Sequence, residues 1–142
     1  MRFLLFACAM AVPTAASARE TFISCNVTAR ATGALGISRE ASGTRYYVIN
    51  DGVHTIAIIV NGERKSLCLV DDRCTSTVNP DAATYTSESW RGNMHSVSKT
   101  SIDRRSGTLT ETQQLYVKQG QSPVSTEVNG PCRLYDPDKR AF

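Results

Sequence analysis

His54 and His95 are the two histidines of this 142-residue chain. Histidine is the side chain whose ordinary titration falls nearest neutral pH, so each is a candidate general base. To act as one, it needs a serine or cysteine nucleophile close in space. The chain has no G-x-S-x-G elbow, and its cysteines are better accounted for otherwise. His54 follows an Asp51-Gly52 turn signal, and His95 opens a polar run, so both suit an edge or surface position. No catalytic residue is assigned. Asp71-Asp72, together with Asp81 or Asp103, could offer oxygens to a hard cation. The spacing of a calcium-binding loop is absent, and paired acids in a turn are ordinarily solvated. No metal or other cofactor is expected.

Arg2, the apolar run from Phe3 to Val12, and the small residues Ala16-Ser17-Ala18 have the layout of a signal peptide over residues 1–18. Cleavage after Ala18 would release a periplasmic or secreted chain beginning at Arg19. Pro13 ends the apolar run too soon for a bilayer span. Losing Arg2 takes the 16 basic residues to 15 against 13 acidic ones, a net charge of +2. Export makes Cys25, Cys68, Cys74 and Cys132 two disulfides, with three possible connectivities. Cys68 and Cys74 flank a short polar turn, and a bridge there would leave Cys25 to join Cys132. A zinc site would want a C-x-x-C pair or a nearby histidine, and neither is present.

Trp90-Arg91 and Tyr46-Tyr47 carry the residue types that dominate contact hot spots. As the only tryptophan, Trp90 also suits the core of a small β domain. The basic pairs Arg64-Lys65, Arg104-Arg105 and Lys139-Arg140 fall at turns or in the tail, with no basic stripe, so a nucleic-acid partner is not expected. Asp136-Pro137-Asp138-Lys139-Arg140 cannot face lipid, which argues against membrane insertion. Ser42-Gly43-Thr44-Arg45-Tyr46 resembles the S-G-x-x-Y motif of the periplasmic lysozyme inhibitors. That family consists of small eight-stranded antiparallel barrels with a terminal disulfide. The resemblance implies that Ser42, on a loop, and Tyr46 would contact the cleft of a lysozyme-like wall-degrading enzyme.

The elements that must position these residues are read around one stretch, 46–70. Asp51-Gly52 and Asn61-Gly62 separate three runs rich in Val, Ile, Leu and Tyr, as in two tight hairpins. With two-residue turns, Tyr47 would face Ile56 and Ile56 would face Leu67. Thr21–Thr28 reads as an opening strand, 29–38 as a loop with a short strand at Leu35–Arg39, and Ser42-Gly43 as a turn. Ala82–Trp90, Met94–Ile102, Thr108–Lys118 and Val124–Val128 read as further strands, the third with its apolar face interrupted by Glu111 and Gln113. Asn129-Gly130-Pro131 reads as a turn into Cys132. Nowhere does helical spacing persist. The expectation is a single all-β domain over 19–135, an antiparallel meander closing into a sandwich or barrel-like fold with a disulfide-stapled core, and a disordered tail at 136–142. Its expected role is a monomeric, non-catalytic binding module for another envelope or extracellular protein. A lysozyme-type inhibitor and a small histidine-based hydrolase are the alternatives.

Overall fold

The computed structural model describes residues 19–33, 35–69, 71–117 and 123–138; the signal peptide expected at 1–18 and residues 139–142 lie outside that set. The described chain is all β. In chain order the strands are β1 (Glu20–Thr32), β2 (Ser38–Asn50), β3 (Thr55–Val60), β4 (Glu63–Ser66), β5 (Arg73–Val78), β6 (Ala82–Arg91), β7 (Met94–Asp103), β8 (Thr108–Tyr116) and β9 (Val124–Leu134). They form one curled sheet in the order β4-β3-β2-β1-β9-β8-β7-β6-β5, every pairing antiparallel. Among the described residues no helix is long and apolar enough to cross a membrane.

Strands adjacent in sequence pair with one another and β9 returns to β1; among the described residues the one exception is β4 and β5, which do not pair with each other. The odd number of strands explains that gap. Alternating up and down around nine positions leaves one adjacent pair running the same way, and here that pair is β4 and β5. Parallel neighbours are normally joined by a dozen or more residues. Residues 67–72 are too few, so the sheet stays an incompletely closed barrel. Cys68–Cys74 spans this seam, and Cys25–Cys132 staples β1 to β9. Two disulfides indicate an oxidising, non-cytoplasmic setting.

Cys25–Cys132 stands where the β1–β9 ladder lapses. Pairing skips Asn26 and Val27 between Cys25↔Cys132 and Thr28↔Asn129. Pro131 has no N–H to give. Gly130 runs so near β1 that a Cβ there would lie 1.9 Å from the Asn26 carbonyl oxygen. A covalent bond holds the strands where hydrogen bonds stop.

The structure corrects several local expectations. Residues 29–32 extend β1, and β2 runs unbroken through Ser42 and Gly43, with Gly43 opposite Val27. The turn expected at Ser42-Gly43 is therefore strand, because β1 supplies a continuous partner. Asn129-Gly130-Pro131 likewise lies inside β9. The β2–β3 turn takes four residues, 51–54, since the Asn50 side chain accepts the Gly52 and Val53 N–H groups and His54 adopts φ +52°. Tyr47 consequently faces Ile58, and Ile49 faces Ile56. A shift of two residues changes partners without changing faces, so the apolar face survives the error. Asn61-Gly62 is a two-residue turn with φ of +53° and +79°, as a type I′ turn requires.

Inward side chains such as Ile23, Tyr47, Ile49, Ile102, Leu109 and Val128 form the core. It fills the half of the interior nearest the turns at 51–54, 79–81 and 104–107. Those turns are tied together: Arg104 donates to Asp51 at 2.6 Å and to the Asn79 carbonyl, and His54 Nδ1 lies 3.1 Å from the Val78 carbonyl oxygen. This is the closed end. Above the core, Arg45 of β2 reaches across the hollow to Glu111 of β8 at 2.7 Å, although β1 and β9 separate those strands in the sheet. The Tyr47 phenol donates to the same carboxylate at 3.4 Å. Beyond this polar bridge the interior changes character.

Candidate functional site

β6 and β7 carry the chain from the core to the open end, where Gly92-Asn93 turns one into the other. Along β6, Ser87, Ser89 and Arg91 continue the inward face, while Glu88 and Trp90 point outward. β7 answers in register: Ser87 faces Ser98, Ser89 faces Ser96, and Arg91 faces Met94. Serines stand here where Ala83, Tyr85, Thr100 and Ile102 stand lower down. They leave space. A cavity of about 310 Å³ lies over these four half-buried serines, walled by Leu67, Leu69, Met94 and Leu115, with Gln113 alongside. Arg91 sits 3.7 Å from Asp72, whose side chain is only 8% exposed. Below, Tyr85 donates to the Cys74 sulfur, and burial raises its phenol pKa.

The outer face of the same strands carries three rings in a row. Trp90 stacks on its cross-strand partner His95 with centroids 3.9 Å apart and planes 10° off parallel. His95 in turn stacks on its partner Tyr116 at 5.5 Å. His95 Nε2 lies 2.8 Å from Glu88, which fixes the imidazole between the two rings. Trp90 is nevertheless 65% exposed. The core position that its singularity suggested is thus corrected: β6 has run past the core by residue 90, and the indole is on its outer side. Leu69, Met94, Val97 and Val117 are also exposed apolar side chains at this end. A second concavity of about 370 Å³ lies against Trp90, Leu69, Asp71, Asp72 and Arg91. It shares Leu69, Asp72 and Arg91 with the serine-floored cavity, so the two meet over the rim.

The interior bridge under the cavity has its own electrostatics. Desolvation pulls the Arg45 guanidinium pKa down, but Tyr47 and Glu111 outweigh it and hold the group above its usual value. Burial pushes the Tyr47 phenol up, against the opposing influence of Arg45.

Of the residues singled out from sequence, Trp90 and Arg91 come together at the open end. Ser42 and Tyr46 do not join them. Both lie on the outer face of β2, where the Ser42 hydroxyl is 3.5 Å from that of Thr28 and Tyr46 packs against Tyr135 at 5.0 Å. The histidines face a backbone carbonyl and a carboxylate. Asp81 accepts from Arg105, and Asp103 accepts from the N–H groups of its own turn. Among the described residues no group of three or more His, Cys, Asp or Glu could hold a metal ion. The four serines escaped sequence reasoning. Their signal was there, as Ser87-Glu88-Ser89 and Ser96-Val97-Ser98, but it acquires meaning only once the hairpin register places the two pairs side by side.

No protein-family model matches the chain, and neither curated proteins nor solved structures gave a match.

Proposed function

We propose that this chain is an exported, monomeric, non-catalytic binding module of the cell envelope or extracellular space, and that its open end around Trp90 and Arg91 makes the contact. One observation carries the reading. The only tryptophan is solvent-exposed yet held in place by His95 and Tyr116, themselves on paired strands. A large ring that is already ordered loses little entropy on binding, which is why such residues dominate contact surfaces. Exposed Leu69 and Met94 enlarge the apolar area, and such patches mark interaction sites.

Capture from exported fractions of the host tests this. The wild-type protein should retain a component that Trp90→Ala retains at least tenfold less, with thermal unfolding of the two proteins coincident. Equal retention would remove the open end as the contact. The inhibitor alternative needs Ser42 on a projecting loop, whereas Ser42 lies within β2. A saturable lysozyme complex at micromolar concentration, lost in Ser42→Ala, would reinstate it. Hydrolysis through His54 or His95 would need a nucleophile that neither imidazole contacts among the described residues.

A further inference from the structure

The serine-floored cavity and the Trp90 slot differ in chemistry, and their junction narrows what could occupy both. Each serine hydroxyl can donate one hydrogen bond and accept others, and four of them occur as two facing pairs with Gln113 beside them. Such a floor suits a ligand that also donates and accepts everywhere. The walls are aliphatic, and the slot over the rim offers an indole ring. Charge is nearly balanced: Arg91 faces Asp72 at 3.7 Å, and Asp71 adds a negative charge to the outer slot. A polyanion would meet that acid unfavourably. A quaternary ammonium would want several aromatic faces, and only Trp90 lines the slot among the described residues. A sugar ring fits each requirement, since it has hydroxyls around its edge and a C–H face that lies against an apolar ring. A volume near 310 Å³ is at the low end for small-molecule sites, hence about one ring, and the outer slot has room for the next.

We propose that the open end is a site for a neutral oligosaccharide, with one ring over Ser87, Ser89, Ser96 and Ser98 and the adjoining ring against Trp90. This rests on the binding-module reading and names its ligand.

The test titrates the disulfide-bonded protein with maltotetraose, cellotetraose and tetra-N-acetylchitotetraose, up to about 10 mM, where even weak sites fill. Amide and indole N–H shifts are followed by NMR. At least one tetrasaccharide should shift the Trp90 indole and the β6–β7 amides saturably. Trp90→Ala and the pair Ser87→Ala with Ser98→Ala should each weaken that binding about tenfold, with the remaining spectrum unchanged. Alanine keeps the strand and the space while removing the hydroxyls, so loss of binding would not reflect loss of fold. No shift with any of the three sugars overturns the proposal, as does binding that survives both variants or saturable binding of choline alone. If the sugars fail while Trp90→Ala still loses its captured component, only the ligand class is wrong and the binding reading stands.

Discussion

Glu111 interrupts the apolar face of β8, and its carboxylate is held inside the curl by Arg45 and Tyr47. Glu111→Gln would leave the Arg45 guanidinium partly buried without its counter-charge. Both partners keep some solvent contact, so the expected cost is about 1–3 kcal/mol, read from urea unfolding. Tyr47 gives a pH signature. Burial, opposed by Arg45, raises its folded pKa, so its contribution is complete below the unfolded value and lost as pH rises through the folded one. Stability should fall above about pH 10, and Tyr47→Phe should flatten that fall in unfolding curves taken across the alkaline range. From sequence the interruption at Glu111 was visible and its partner was not, since Arg45 lies 66 residues away and only the curl joins them. Trp90 was ambiguous for a similar reason. Its exposure depends on how far β6 outruns the core, and local pattern does not record that.

The two disulfides act on elements of very different span. In the chain-entropy model, closing the Cys25–Cys132 loop stabilises by about 4.7 kcal/mol and the Cys68–Cys74 loop by about 2 kcal/mol. Paired serine substitutions at each bridge, compared by denaturant melts, should fall in that order. The second pair should also weaken ligand binding more than its small cost suggests, because Cys68 lies between Leu67 and Leu69, which wall the cavity. Strand existence was largely legible in alternation and turn residues. Boundaries were lost where a partner strand overrides a turn-forming dipeptide, as at Ser42-Gly43 and Asn129-Gly130. The four-residue turn at 51–54 was missed because the Asn50 side chain caps the N–H groups of both Gly52 and Val53, and Val53 and His54 lie beyond the Asp51-Gly52 signal.

At the scale of the molecule, β1 must wait for β9. Their pairing joins residues about a hundred positions apart, so non-local contacts dominate the fold. Refolding with the disulfides reduced should be slow, milliseconds to seconds, in stopped-flow fluorescence of Trp90. The all-β class could be read from spacing and composition, but closure could not. It turns on the parity of the strand count, and a miscount of one strand would move or erase the unpaired seam. The placement of Cys25 and Cys132 has a mechanical consequence. The start of β1 at Glu20 and the end of β9 at Leu134 both lie toward the closed end, just beyond one sulfur–sulfur bond. Tension applied through those ends would straighten only the short segments outside the bridge and then pass from Cys25 to Cys132. The loop between them, with the cavity and all of the core except Ile23, would carry no load.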